Sequence, residues 1–300
     1  MNVSVSLVKD LRKKTGAGMM DCKKSLVATS GNFEAAIDLL KVKGLANAAK
    51  KSERVVSEGL TALIVESSNA AVIEINSETD FVSRNKIFQS LVNKTVKKAI
   101  NCSSLEQLKS CIVEGDKTVQ ELTVENMAII GENLTISRMK TIKVTEGVIA
   151  SYVHNSIADG MGQISVLVAL ESSGSKERLM ELGKQIAMHI AAAKPLFLNK
   201  EDVDKKLIQR ERDVFTKQSI ASGKPNNIIE KMIDGRIRKF LEEIVLFDQV
   251  FVIDTSLKIS EVIENVAKEL GVPIVLTNYA RFELGEGSIK KDKKEEPPIY

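Results

Sequence analysis

The chain has no tryptophan, and its 300 residues hold only three tyrosines and nine phenylalanines. So thin an aromatic complement offers no platform for stacking nucleic-acid bases. Charge of one sign is also lacking: 43 Lys and Arg face 40 Asp and Glu, for a net +3. That balance gives no bulk attraction to nucleic acid. Cysteine is scarce and odd in number, with Cys22, Cys102 and Cys111 sharing no C-x-x-C spacing. Neither a disulfide framework nor a zinc site is supported. The only histidines, His154 and His189, are far apart and supply no metal motif, and no Ser/His/Asp or Cys/His constellation can be assembled. No run approaches the ~18 apolar residues that span a bilayer. The opening Met1 to Leu7 reaches Lys9 too soon for a signal peptide. The expectation is a reduced, cytoplasmic, soluble protein with no cofactor, no metal, no membrane contact and no covalent chemistry of its own.

What is present is helical first, then mixed. Residues 1–54 read as a three-helix bundle. Val5, Val8 and Leu11 have helical spacing and stop at Thr15-Gly16, and a second segment runs from about 21 to 28, ending at Ser30-Gly31-Asn32. A third carries Phe33, Ala36, Ile37 and Leu40, with Gly44 placed as its stop. Lys41, Lys43, Lys50, Lys51 and Arg54 make its end basic, as a solvated face and linker would be. From 55 to 144 the pattern becomes α+β: strand-like runs at 60–66 and 71–76 around Ser67-Ser68-Asn69, a helix over 86–100, and a further β-like run at 134–144.

A second α+β unit, 145–285, echoes the first. Ser57-Glu58-Gly59-Leu60 is matched by Thr145-Glu146-Gly147-Val148, the strand 71–76 by 163–170, the helix after it by 176–193, and 134–139 by 274–282. Two halves related by duplication, with antiparallel sheets, are expected. Into the second half is set an insertion at about 196–245. Its two amphipathic helices, 200–222 and 226–245, flank Gly223-Lys224-Pro225. Leu207 with Val214, Ile208 with Phe215, and the seam Ile229, Ile233, Ile237, Phe240 and Ile244 predict an antiparallel, coiled-coil-like hairpin. Residues 286–300 read as a charged, flexible tail.

Two stretches invite a functional reading. Thr15-Gly16-Ala17-Gly18-Met19-Met20-Asp21 has the glycines of a phosphate loop but lacks its third glycine and a preceding strand. A tight helix–helix turn fits better, with Asp21 capping the next helix and Met19 and Met20 at an exposed corner suited to a partner's groove. One or both methionines could equally fold into the bundle core. The other stretch, Ser77-Glu78-Thr79-Asp80-Phe81-Val82-Ser83-Arg84-Asn85, is a strand-to-helix turn. It sets a carboxylate beside a large aromatic, and two readings stand: Phe81 packs under the next helix, or it is exposed for a partner. His189 lies in an apolar helix and reads as a structural imidazole; His154 reads as an exposed strand end.

These stretches together resemble the bacterial elongation factor Ts family. The likeness lies in Thr15-Gly16-Ala17-Gly18-Met19-Met20-Asp21-Cys22-Lys23-Lys24, Thr79-Asp80-Phe81-Val82 and Gly131-Glu132-Asn133. It continues in Ile186-Ala187-Met188-His189-Ile190-Ala191-Ala192 with Lys194-Pro195, and in Arg281-Phe282-Glu283 with Gly285-Glu286-Gly287. The resemblance implies a ubiquitin-associated (UBA)-like N-terminal bundle, a two-part α+β core with a helical hairpin, and nucleotide exchange on elongation factor Tu, GDP-bound and nucleotide-free. It implies that Thr79, Asp80, Phe81 and Val82 enter the partner near its nucleotide-bound magnesium, with Phe81 as wedge and Asp80 perturbing the local hydrogen bonds. His154 matches the position that pushes on the partner's phosphate-binding region, though the stretch 155–163 after it reads as longer and more irregular than the family pattern. Met19 and Met20 match the contact with the partner's GTPase domain. The rival reading is a non-catalytic interaction scaffold, which a buried Asp80–Phe81 pair would favour; an enzyme built on His154 would need a dry pocket around it.

Overall fold

Three helices open the chain in the computed structural model, which describes residues 3–220 and 226–288. α1 (Val5–Thr15) is capped by Ser4, whose Oγ accepts the Leu7 N–H, and it stops at Gly16 with φ 69°. α2 (Met19–Ala28) and α3 (Phe33–Lys51) complete the bundle around Val8, Leu11, Cys22, Leu26 and Ala36. Two expectations are corrected. The N-cap of α2 is Gly18, and Asp21 lies inside the first turn, where its charge still faces the positive helix end. Gly44 does not end α3 but lies within it, facing α6 (Val119–Ile130) of the next unit. A Cβ at Gly44 would stand 2.8 Å from that of Ala128, so the glycine permits close helix approach.

β1 (Glu58–Glu66) and β2 (Asn69–Ser77) form a hairpin across Ser67-Ser68. The other elements of this half are α4 (Lys86–Ala99), α5 (Leu105–Ser110), a small ribbon of β3 (Ile112–Glu114) and β4 (Lys117–Thr118), then α6 and β5 (Thr135–Lys143). The second half supplies β6 (Gly147–His154), β7 (Met161–Gly162), β8 (Ile164–Glu171), α7 (Lys176–Ala193), α8 (Lys205–Ile220), α9 (Asn226–Ile244), α10 (Ile259–Leu270) and β9 (Val275–Glu283). Besides the β3-β4 ribbon, the described residues form two antiparallel sheets, ordered β5-β2-β1-β7 and β6-β8-β9. The irregular stretch after β6 is thus ordered: it carries β7 across to the edge of β1.

Helices cover the outer face of each sheet, and the inner faces meet. Leu60, Ile73, Ile75, Phe88, Leu91, Leu108 and Leu134 pack on one outer side; Val166, Val168, Leu170, Leu182, Ile186 and Ile263 pack on the other. Between the sheets lie Ala70, Val72, Ile142, Ile149, Leu167, Ala169 and Phe282. This explains the unbroken apolar stretch Ala70-Ala71-Val72-Ile73 in β2, which is buried on both faces. Gly59 and Gly147 stand at φ 126° and 143° at the heads of β1 and β6. A Cβ would meet the Ile75 carbonyl oxygen at 2.2 Å and that of Leu170 at 2.1 Å respectively. His189 is buried as expected: its Nε2–H donates to Gln249 Oε1 at 2.8 Å while Nδ1 accepts the Val252 N–H at 3.3 Å. Burial pushes its pKa below the ordinary value, and the hydrogen bond to Gln249 opposes that shift.

The hairpin differs in detail from expectation. Lys200–Asp202 forms a separate 3-10 turn closed by Asn199 and Asp202, and α8 starts only at Lys205. Ile229, Ile233 and Ile237 seal against Ile208 and Phe215, whereas Val214 stays 39% exposed. Phe240 and Ile244 pack at the root with Val203, Leu207 and Phe197. The predicted turn Gly223-Lys224-Pro225 and residues 289–300 lie outside the described residues. Of the expected flexible tail, Glu286 to Ser288 are fixed instead, because Arg138 and Arg281 bind Glu286 and the Gly287 N–H reaches Glu74. Beyond the root the hairpin's apolar positions contact one another. Replacing 209–236 by a short glycine-rich turn is therefore expected to leave cooperative thermal unfolding of the remainder intact. A broad, non-cooperative melt would show that the arm contributes to the core.

Candidate functional site

β2 is followed by a turn whose backbone is tied at nearly every residue. Asp80–Arg84 forms one 3-10 turn, closed by the Asn85 N–H to the Val82 carbonyl at 2.9 Å. Ser77 Oγ donates to the Thr79 carbonyl at 2.9 Å, Ser83 Oγ to the Asp80 carbonyl at 2.6 Å, and Gln89 Nε2 to the Ser83 carbonyl at 2.9 Å. Asn85 then caps α4 by accepting the Ile87 N–H at 2.8 Å. Val82, 4% exposed, anchors the turn in the core beneath it. Phe81 points the other way and is 81% exposed, with Asp80 exposed beside it. Of the two sequence readings, packing under the helix is therefore excluded.

The turn is also held from outside, by residues that sequence reasoning quoted only as part of a likeness. Glu132 takes the Thr79 N–H on Oε2 at 2.9 Å and the Thr79 hydroxyl on Oε1 at 2.6 Å. The neighbouring Asn133 N–H donates to Glu78 Oε1 at 2.7 Å, and its side chain donates to the Arg54 carbonyl at 2.8 Å. Gly131, at φ 89°, ends α6 and starts this buttress. The usable signal was the glycine stop followed by a polar pair before an apolar strand. The partners, more than fifty residues away in sequence, were not visible.

Met19 and Met20 occupy the first turn of α2, 39% and 60% exposed. The preceding turn rests on α6: a Cβ at Gly16 would lie 3.1 Å from Ile129 Cγ2. The bundle corner and the Phe81 turn therefore share one support, α6 and the residues just after it. His154 stands apart, exposed at the end of β6, with Nδ1 3.2 Å from the Tyr152 hydroxyl. Its strand belongs to the second sheet, joined to the first through β7 and through Thr61 Oγ1 and Ser165 Oγ, 2.8 Å apart. Among the described residues, no group of His, Cys, Asp and Glu could hold a metal ion, and no helix is long and apolar enough to cross a membrane.

Comparison with known proteins fits this geometry. The family model described as Elongation factor TS matches residues 78–286, beginning at the buttressed turn. The Elongation factor Ts of Rickettsia bellii (strain OSU 85-389) is 53% identical over 294 residues, covering 98% of this chain and 95% of that protein. That of Rhodospirillum centenum (strain ATCC 51521 / SW) is 52% identical over 287 residues, covering 95% and 94%. These likenesses place the chain among the translation elongation factors. It belongs to the Elongation factor Ts family.

Proposed function

We propose that this chain is a guanine-nucleotide exchange factor for elongation factor Tu, acting by contact rather than covalent chemistry. The observation that carries the reading is Phe81, presented to water on a turn too firmly tied to be a loose loop. An exposed aromatic on a pre-organised support loses little freedom on docking, so its burial energy goes into the complex. In this reading Phe81 enters elongation factor Tu near its nucleotide-bound magnesium, Asp80 competes for the hydrogen bonds there, and Thr79 and Val82 fix the wedge from behind. Met19 and Met20 hold the GTPase domain, and His154 pushes on the phosphate-binding region.

Magnesium, phosphate cradle and base pocket hold a nucleotide together, so displacing the first two weakens the whole. Each tenfold loss of nucleotide affinity takes about 1.4 kcal/mol, supplied by the factor's contacts. Linkage requires the nucleotide to weaken the factor's affinity equally. Binding to GDP-bound and nucleotide-free partner follows, in the cytoplasm and without direct contact to nucleic acid or membrane. The scaffold alternative would be favoured by a buried Asp80–Phe81 pair, and both are exposed.

The same reading divides the chain into a UBA-like bundle (1–54), two duplicated subdomains (55–144 and 145–285) and an inserted hairpin (196–245). The matching positive-φ glycines, Gly59 and Gly147, at the heads of β1 and β6 support the duplication. The test is release of a fluorescent GDP from elongation factor Tu with and without this protein. Acceleration that excess magnesium opposes is expected; binding without acceleration would make the protein a scaffold. Replacing Met19 and Met20 together by Asp is expected to weaken association at least tenfold while the bundle stays folded, since an exposed site tolerates charge and a docked one does not. Titration calorimetry with circular dichroism checks this, and unfolding of residues 1–54 would return the pair to the core.

A further inference from the structure

The three cysteines, unrelated by spacing, are not equally placed. Cys22 is buried alone among them in the N-terminal bundle, whereas the sulfurs of Cys102 and Cys111 lie 3.2 Å apart, both as free thiols. Cys102 comes just after α4, and its Sγ also reaches the Lys98 carbonyl at 3.2 Å. Cys111 ends α5 and leads into β3. Both backbones are fixed: the Cys102 N–H donates to the Ala99 carbonyl at 3.0 Å, the Cys111 N–H to that of Leu108 at 3.1 Å, and the Cys111 carbonyl accepts the Val119 N–H at 2.9 Å. The segment between them is held by Ser104, which caps α5, and by Gln107, which accepts the Ser103 N–H. Two thiols carried on fixed backbones have only about 1 Å to close to the ~2.05 Å of a disulfide.

We propose that Cys102 and Cys111 form an oxidative modification site, converted by a hydroperoxide into an intramolecular disulfide. Cys111 is the partly exposed member, so it meets the oxidant first, whereas Cys102 is 4% exposed. The Cys111 thiolate attacks one oxygen of hydrogen peroxide; the O–O bond breaks, leaving a sulfenic acid on Cys111 and hydroxide, which takes up a proton as water. The Cys102 sulfur then attacks the Cys111 sulfur. The S–S bond forms, the S–O bond breaks, and the hydroxyl leaves as water with the Cys102 proton. The two thiols lose two electrons and the peroxide gains them. The order of events is supported by burial and the hydrogen bond with Cys111, which push the Cys102 thiol up to about 12 and keep it protonated until it resolves the sulfenic acid.

The reduced full-length protein is treated with hydrogen peroxide, quenched, alkylated and mapped by mass spectrometry. The expected product has lost the mass of two hydrogens, carries a Cys102–Cys111 cross-linked peptide, alkylates only at Cys22, and reverts with dithiothreitol. Cys102→Ser is expected to leave a sulfenic acid on Cys111 that dimedone traps, whereas Cys111→Ser gives no dimedone adduct on Cys102. Circular dichroism establishes that each variant is folded, and the wild-type map decides the matter if either is not. Disulfide-linked dimers, oxidation of Cys22 ahead of the pair, or sulfinic Cys111 without a cross-link would each overturn the proposal.

Discussion

Phe81→Ala is expected to slow catalysed GDP release from elongation factor Tu by roughly 30-fold or more, the scale of a hot-spot aromatic worth about 2 kcal/mol or above. Its melting temperature is expected to stay close to wild type, because the ring is 81% exposed and its removal opens no cavity. The control is Phe88→Ala, seven residues on and fully buried in the same unit. That truncation should cost about 3–5 kcal/mol of folding stability, as core phenylalanines do. Asp80→Ala should act in the same direction as Phe81→Ala, and the double variant should lose less than the sum, since neighbours serving one wedge are coupled. Glu132→Ala should reproduce part of the loss through the freed turn, with Phe81 still in place. Stopped-flow release beside thermal melts reads all five variants. Unchanged release for Phe81→Ala would end the wedge reading, whatever its melting temperature.

Legibility in the sequence followed the range of the interaction. Local signals were read well: Gly16 as a helix stop, Ser67-Ser68-Asn69 as the place of the hairpin turn, and the isoleucine seam of α9. Each depends on dihedrals or spacing within one or two turns of chain. Gly44 was misread because a glycine that ends a helix and one that admits a neighbour look alike without the neighbour, here Ala128. The stretch 71–76 was read as a strand, but its burial on both faces was not, because the second sheet that covers it is distant in sequence. The Phe81 turn was found by its odd composition, whereas the Glu132 and Asn133 buttress was not, since a polar pair after a glycine stop is common. The Cys102 and Cys111 contact left no trace in spacing, because nine positions and the whole of the short helix α5 separate the two residues in sequence.

Glu74 is the clearest case of a residue that looks wrong in sequence and is explained in space. It interrupts the apolar run of β2 and is fully buried. Its Oε1 accepts the Gly285 N–H at 2.8 Å and Asn76 Nδ2 at 2.9 Å, and its Oε2 accepts the Gly287 N–H at 3.3 Å and Arg138 Nε. Arg138 in turn stacks 4.1 Å from the Phe282 ring and donates to the Glu283 carbonyl at 2.8 Å. A strand of the first half thus holds the chain as it leaves β9 of the second, and Gly287 has no room for a side chain, since a Cβ would lie 2.8 Å from Glu74 Oε2. Removing one partner of such a network leaves the others desolvated, which costs more than the pair's net attraction. Glu74→Ala is accordingly expected to lose about 3–5 kcal/mol in urea unfolding. It should also expose 284–288 to proteolysis at protease levels that spare the wild type. Glu74→Gln, which keeps the shape and one acceptor, should lose less. A Glu74→Ala midpoint shift equivalent to under about 1 kcal/mol, the worth of a surface ion pair, would mean that water replaces the carboxylate without penalty and that the two halves are joined by sheet packing alone.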